Sequence, residues 1–185
     1  MVIEIVSKII KEIDAMQAKL NSENLDNIAQ LIASSPSVFI AGAGRAGAIM
    51  QCFAKRLMHI GLDSYVIGES TTPPAKKGNL LIVGSGSGET ESLVIIANKA
   101  IDLGIRVLLI TTNPDSSIGK VADYILEIPA ITPKSAANAS MSSIQPMANL
   151  FEQMLLICTD AISVKISYIK EMDYDQMFAR HANLE

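Results

Sequence analysis

The stretch Leu80–Thr90, which reads LLIVGSGSGET, decides the fold class because it leads from an apolar run through a glycine-rich turn. The four apolar residues 80–83 predict a strand that is buried on both of its faces. The turn Ser85–Thr90 follows, and the segment after it has the apolar periodicity of a helix that runs to Gly104. A buried strand that passes directly into a helix is typical of a parallel sheet covered by helices.

The same alternation of apolar strands and amphipathic helices continues along the chain. We predict further strands at 37–41, 64–67, 107–110 and 124–128, and further helices at 2–20, 22–33, 48–60 and 146–169. Residues 129–145 are polar and predict a long loop. The fold class is therefore α/β, a three-layer α-β-α sandwich with a five-stranded parallel sheet. We expect one domain over 1–185, with an N-terminal helical segment (1–34) and a C-terminal helix and tail (146–185).

Composition excludes several classes of protein. With 185 residues, 49% hydrophobic and 18% charged, the chain is globular. Its net charge of −4 and its lack of a Lys/Arg run argue against a nucleic-acid partner. No apolar stretch approaches the ~20 residues that a membrane span needs, so we expect no membrane partner. The two cysteines, Cys52 and Cys158, lie in apolar segments and predict buried free thiols in the cytoplasm.

The turn after the strand at 80–83 has the properties of a phosphate site. Its glycines let the backbone approach a ligand, and the helix that follows favours an anion at its start. The turn lacks the lysine of a Walker A loop, so a phosphoester that is held rather than transferred is favoured. A strand–helix turn with ordinary capping hydroxyls is the alternative. The candidate phosphate-binding residues are Ser85, Gly86, Ser87, Gly88 and Thr90.

A second glycine-rich turn, 42–47, reads GAGRAG and matches the pattern G-x-G-x-x-G. Arg45 adds a cation and bulk where a dinucleotide site prefers a small residue, so NAD(P) binding is disfavoured. A turn that contacts a polar ligand through Gly44 and Arg45 is preferred, with a purely structural turn as the alternative. Both turns follow strands of one parallel sheet, so both can face one site. Thr71 and Thr72 precede two prolines and are candidates to bind the hydroxyls of a sugar. The alternative is that their side chains only cap the turn in which they lie.

With their strands, the two turns resemble the sugar isomerase (SIS) domain, a family in which a Ser/Gly/Thr turn binds the phosphate of a sugar phosphate. Five further segments resemble the 6-phospho-3-hexuloisomerases within it. They are RLMHIG at 56–61, VIGESTTPP at 66–74, IQPM at 144–147, FEQ at 151–153 and RHANLE at 180–185. The resemblance covers essentially the whole chain. It departs at Ala46, because the first turn of the family usually reads Gly-Arg-Ser-Gly.

The resemblance implies a flavodoxin-like or Rossmann-like sandwich and a sugar phosphate as substrate. The implied reaction interconverts D-arabino-3-hexulose 6-phosphate and D-fructose 6-phosphate through an enediol, as in the ribulose monophosphate pathway of formaldehyde fixation or pentose synthesis. Proton transfer between neighbouring carbons needs a base of suitable pKa and no metal or organic cofactor. The two histidines and two cysteines are dispersed without metal-ligand spacing, so we expect no metal.

Glu152 and His181 are the candidate catalytic residues. Glu152 lies at the border of the apolar face of the helix at 146–169, and its place resembles the catalytic glutamate of SIS isomerases. A solvated helix glutamate is the alternative. His181, in a polar tail, is the candidate acid or proton shuttle, with a plain surface histidine as the alternative. His59 ends an apolar helix and is interpreted as structural.

The apolar seam of the first helix and the mostly apolar last helix predict a homo-oligomer, a dimer or tetramer. SIS proteins often build their sites near subunit interfaces, so His181 is a candidate for the site of a neighbouring subunit. Two other functions stay open. The first is another SIS isomerase: those for arabinose 5-phosphate commonly carry extra regulatory domains, and those for sedoheptulose 7-phosphate usually rely on metal ligands. A sugar-phosphate sensor would add a DNA-binding domain, whereas only about 35 residues precede the first strand here.

Overall fold

The computed structural model describes residues 1–130 and 143–184. Its strands are β1 (Val38–Gly42), β2 (Ser64–Val66), β3 (Leu80–Gly84), β4 (Arg106–Thr111) and β5 (Tyr124–Glu127). Its helices are α1 (Val2–Gln17), α2 (Ser22–Ala33), α3 (Gly44–His59), α4 (Glu91–Asp102), α5 (Asn149–Ile169) and α6 (Tyr174–Phe178). The strands form one parallel sheet in the order β2-β1-β3-β4-β5.

Alternate residues of the strands supply two separate cores. Ile40, Ile82 and Ile110 face the larger core, which also takes apolar side chains from α2, α3 and α5. Phe39 and Leu81 face the smaller core, which is covered by α4. Because successive side chains of a strand point to opposite faces, the apolar runs cover both sides of the sheet. The predicted three-layer α/β fold is confirmed.

The strand order creates a crevice between β1 and β3. The chain leaves β1, adds β2 on one side, and returns to place β3 on the other side. These two strands pair in register from Val38 opposite Leu80 to Gly42 opposite Gly84, so both end at the same level. In doubly wound sheets the reversal of strand order leaves room for a ligand at the carboxyl ends of the strands. The two glycine-rich turns both begin at this crevice.

Three helix boundaries differ from the sequence prediction by three or four residues. Helix α3 begins at Gly44 rather than Ala48, so most of the predicted turn 42–47 is its first helical turn. A Cβ on Gly47 would lie only 2.9 Å from the Gly42 carbonyl oxygen, and this close approach lets the helix start directly after β1. Helix α1 ends at Gln17, and α5 begins at Asn149 rather than Pro146. Of the predicted loop 129–145, residues 131–142 lie outside the described residues.

The two cysteines differ in burial. Both are free thiols, and Cys158 is buried in α5 as expected. The expectation was wrong for Cys52, which is exposed because it lies on the face of α3 that points away from the sheet. Across 1–130 and 143–184, the helices include none that is long and apolar enough to cross a membrane.

Candidate active site

A cavity of about 220 Å³ opens at the crevice between the ends of β1 and β3. Ala43 and Ala46 line it from the first glycine-rich turn. The second turn contributes Ser85–Ser87 and Thr90, and the start of α5 supplies the opposite wall. The structure therefore brings the two predicted turns to one cavity. The reason is topological, since both turns follow the strands that flank the switch in strand order.

The second turn presents unpaired hydrogen-bond donors to this cavity. The hydroxyl oxygen of Ser85 accepts from the Gly88 amide at 3.1 Å, and that of Ser87 accepts from the Glu89 amide at 3.2 Å, which leaves both hydroxyl hydrogens free to donate. Within the described residues, the amides of Gly86, Ser87 and Thr90 have no acceptor. Thr90 is the N-cap of α4 and makes no capping bond with its side chain. Such converging donors at a helix start form a cradle for an anion.

The end of β4 and the loop that follows it brace this cradle from behind. The Gly86 carbonyl accepts from the Thr111 hydroxyl at 3.1 Å and from the Thr112 hydroxyl at 2.8 Å. The Glu89 carboxylate accepts from both the backbone and the hydroxyl of Ser117, each at 2.7 Å. The Ser117 hydroxyl and then its amide lower the pKa of Glu89, so this carboxylate is charged at neutral pH. The donors of the turn are thus held in place before a ligand arrives.

Two glycines proposed as ligand contacts lie outside the cavity lining. Gly88 has a φ of 64°, and a Cβ there would lie 2.0 Å from the Ser116 hydroxyl. It permits the turn to pack on the β4–β5 loop. Gly44 has a φ of 57° at the first position of α3, and among the described residues a Cβ there would meet no atom within 4 Å. Only backbone conformation requires glycine at that position.

The threonines of the β2–β3 loop also lie outside the cavity lining. The Thr72 hydroxyl donates to the Val66 carbonyl at 2.6 Å, and the Thr72 amide donates to the Glu69 carbonyl at 3.1 Å. Thr71 is exposed beside it. Within one chain, Thr72 therefore caps the turn after β2. This is the role that the sequence analysis gave as the alternative to sugar binding.

Glu152 stands in the wall of the cavity opposite the cradle. It lies in the first turn of α5, and its side chain is only 13% exposed. Arg45 Nη1 is 2.9 Å from Glu152 Oε2, and the same nitrogen donates to the Asn149 side-chain oxygen. One guanidinium from the first turn of α3 therefore orients a carboxylate on the start of α5. Sequence reasoning missed Asn149, although its spacing of three residues from Glu152 places both on one helix face.

His181 lies at the other end of α3 from this carboxylate. Its ring stacks on that of His59 with centroids 5.4 Å apart and planes 9° from parallel, and Phe178 stacks on it at 6.0 Å. Arg45 and His59 are separated by 14 residues of helix, or roughly 21 Å at 1.5 Å per residue. A single chain thus keeps His181 away from Glu152.

His59 itself is buried, with 7% of its surface exposed. Burial, followed by the nearby positive charges of Arg56 and Lys55, lowers the pKa of His59. It is therefore neutral at pH 7, as suits a histidine that packs within the fold. In the described part of the chain, no group of three His, Cys, Asp or Glu residues is arranged to hold a metal ion.

A hydroxyl- and amide-lined cradle at the switch point of a parallel α/β sheet is the arrangement of a domain suited to a phosphorylated ligand. The chain belongs to the SIS domain family, which matches residues 31–157. It is 47% identical over 182 residues to the 3-hexulose-6-phosphate isomerase of Bacillus subtilis, covering 98% of each chain. It is 39% identical to the enzyme of the same name from Mycobacterium gastri, covering 94% of this chain and 86% of that one.

A solved structure from Methanococcus jannaschii is also similar, with a TM-score of 0.85 and 32% sequence identity. The match covers 98% of this chain and 99% of that one. That protein is described as hypothetical, with an inferred molecular function of 3-hexulose-6-phosphate isomerase. The predicted SIS family membership is confirmed.

Proposed function

We propose that this chain is a 3-hexulose-6-phosphate isomerase, which interconverts D-arabino-3-hexulose 6-phosphate and D-fructose 6-phosphate. One observation carries the proposal: the carboxylate of Glu152 stands in the same cavity as the anion cradle of Ser85–Thr90. A base beside a phosphate cradle is what a sugar-phosphate isomerase requires. The names of the Bacillus and Mycobacterium relatives support the choice of substrate.

The cradle binds the substrate by its phosphate. The hydroxyls of Ser85, Ser87 and Thr90 and the amide of Gly86 donate to the phosphate oxygens. Because the phosphate sits on C6, three bonds from the reacting carbon C3, its binding energy orients the substrate without taking part in the chemistry.

Glu152 acts as the base that moves a proton between two carbons. It removes the proton from C2 of the 3-ketose, and the electrons of that C–H bond form the C2–C3 double bond of an enediol as O3 gains a proton. Glu152 then returns the carbon-bound proton to C3, while O2 loses its hydroxyl proton and becomes the carbonyl of the 2-ketose. Arg45 positions this carboxylate. The transfer between the two oxygens needs a second acid–base group, and His181 is our candidate.

Because one chain separates His181 from Glu152, we propose that the enzyme is a homo-oligomer, a dimer or tetramer, in which His181 reaches a neighbour's cavity. Exposed apolar side chains on two helices support this arrangement, since such faces mark interaction surfaces in water. They are Val2, Ile3, Ile5, Val6 and Ile10 on α1, and Leu156, Ile157, Val164 and Tyr168 on α5. Residues 1–185 would then form one domain per subunit.

The cellular context follows from the same proposal. The reaction belongs to the ribulose monophosphate pathway, in which formaldehyde is fixed or pentose is made. Both cysteines of the chain are free thiols, which supports a reducing compartment such as the cytoplasm.

A coupled assay tests the function and the base together. A hexulose-phosphate synthase makes the substrate from formaldehyde and ribulose 5-phosphate, and fructose 6-phosphate is read through glucose 6-phosphate and NADPH with chelator present. Glu152→Gln keeps the shape of the side chain and removes its basicity, so we expect a loss of about 10³-fold or more in kcat. The exposed Glu23→Gln is the matched control and should keep full activity.

Each outcome of that assay separates function from mechanism. Wild-type activity that survives in Glu152→Gln would keep the function and reject this base. A folded wild-type protein without activity would favour another sugar phosphate or a non-catalytic sensor, which needs no base at this position.

A mixing experiment tests the shared site. Glu152→Gln and His181→Ala chains, each inactive alone, are unfolded together and refolded at equal ratio. If each site takes the two side chains from different subunits, about a quarter of the sites regain both, so roughly a quarter of the wild-type activity returns. Mixed oligomers that stay inactive would place both residues in the site of one subunit, and a His181→Ala chain that is active on its own would remove His181 from catalysis.

A further inference from the structure

A carboxylate far from the cavity in sequence holds the segment that precedes α5. Glu12, on α1, accepts three hydrogen bonds from three consecutive residues. The Ser143 hydroxyl donates at 2.7 Å, the Ile144 amide at 2.8 Å and the Gln145 side-chain amide at 3.0 Å. Both carboxylate oxygens are used, and the contacts span 131 to 133 residues of chain. We call this set of bonds the Glu12 anchor.

The anchor depends on the charge of the carboxylate. All three donors are neutral, and none of the salt bridges among the described residues involves Glu12. Burial by itself raises the pKa of Glu12, but the hydrogen bonds from Gln145, Ile144 and Ser143 outweigh it and lower the pKa from its ordinary value. Gln145 is itself buried, with 9% exposed. Loss of the anchor would leave a buried amide donor without its acceptor, which is costly.

The anchored segment leads directly into the wall of the cavity. Two residues after Gln145, Met147 has a φ of 55°, a left-handed conformation that a residue with a side chain adopts only under constraint. Met147 and the helix cap Ala148 line the cavity beside Glu152. On one side this strained turn is fixed by the packed helix α5, and on the other side by the Glu12 anchor.

We infer that Glu12 is a positioning residue for the substrate cavity. Its carboxylate fixes residues 143–145, and these bonds keep the Met147–Ala148 wall and the first turn of α5 in place against the sugar part of the ligand. The Glu12 anchor does not contact the phosphate cradle, which the β4–β5 loop braces independently. The effect on catalysis rests on the proposed function, whereas the effect on the segment does not.

Glu12→Gln is the test, because it keeps the size of the side chain but removes its charge and replaces one of the two accepting oxygens with an NH2 group that cannot accept. The control is Glu4→Gln on the same helix, where the glutamate side chain is 70% exposed and pairs with the N-terminal amine. Hydrogen exchange is measured on a peptide that covers 143–150 and on one that covers β3. We expect Glu12→Gln to accelerate exchange at 143–150 at least tenfold, with β3 and the control variant unchanged.

Ligand binding and kinetics supply the second arm. We expect the KM of Glu12→Gln to rise about tenfold, equivalent to ~1.4 kcal/mol, with kcat within about twofold of wild type. The affinity for fructose 6-phosphate by calorimetry should fall by the same factor, while that for inorganic phosphate stays within about twofold because the cradle is intact. A general loss of structure would instead weaken both ligands.

The pH dependence follows from the lowered pKa of Glu12. A group whose pKa is lower in the folded than in the unfolded state stabilises the fold above the unfolded value and stops doing so as the pH falls. The difference in unfolding free energy between wild type and Glu12→Gln should therefore be full at pH 7 and should shrink below the ordinary value of 4.5.

Unchanged exchange at 143–150 would overturn the anchor. Faster exchange with an unchanged fructose 6-phosphate affinity would overturn its link to the cavity. If neither wild type nor variant isomerises the hexulose phosphate, the proposed function fails, and the exchange result at 143–150 still decides whether Glu12 holds that segment.

Discussion

Gly88→Ala tests how tightly the phosphate turn is built onto the β4–β5 loop. Gly88 has a φ of 64°, and an added Cβ would lie 2.0 Å from the Ser116 hydroxyl oxygen and 2.5 Å from its Cβ. Those separations are far below contact distance, so either the turn or the Ser116 segment must move. Because the Gly88 carbonyl also accepts from the Ile118 amide at 3.2 Å, movement of the turn strains a second link to the same loop.

Two costs add up in this variant. A left-handed conformation costs a residue with a Cβ about 1–2 kcal/mol. Overpacking of a well-filled site costs about 1–3 kcal/mol more. We therefore expect Gly88→Ala to lower the free energy of unfolding by about 2–5 kcal/mol and to weaken inorganic phosphate binding.

Ser116→Gly separates the two costs, because it removes both atoms that the new Cβ would meet. In that background Gly88→Ala should cost only the conformational part, about 1–2 kcal/mol, which corresponds to a coupling energy of about 1–3 kcal/mol between the two positions. Urea unfolding of the wild type, both single variants and the double variant gives the cycle. Ser116→Gly alone also loses a bond from the Gly119 amide, and the cycle subtracts that loss. Additive single effects would refute the steric reasoning, and a Gly88→Ala protein as stable as wild type would refute the geometry of the turn.

Two other predictions concern charge and thiol chemistry. Arg45→Lys replaces a guanidinium nitrogen that holds Glu152 with a single, more flexible ammonium, so kcat should fall about tenfold with little change in KM. The matched control is Arg106→Lys, at the amino end of β4. Equal losses of kcat in both variants would contradict a positioning role for Arg45. Burial raises the pKa of the Cys158 thiol to about 11, so a thiol reagent at pH 8 should modify only the exposed Cys52 in the folded protein and both cysteines after unfolding. Rapid modification of two thiols in the native state would contradict the burial of Cys158.

Local sequence was enough for the features that depend on contiguous residues. The strands were predicted within one or two residues of their observed ends because a buried parallel strand needs an unbroken apolar run, as in Leu80–Gly84. The SIS family was identified from motifs such as Ser85–Thr90, whose residues are adjacent in the chain. The start of α3 was wrong by four residues, because its first turn depends on the contact between Gly42 and Gly47 rather than on helix propensity.

The sequence by itself thus determined the fold class, the family and the composition of the phosphate turn. Only the tertiary structure decided which distant residues meet. It pairs Arg45 with Glu152, anchors Glu12 to the segment before α5, and places His181 against His59 at the other end of α3. The physical reason is that burial and hydrogen-bond patterns repeat along a helix or strand and can be recognised locally. A contact across more than a hundred residues depends instead on strand order and helix packing, which no short stretch of sequence encodes.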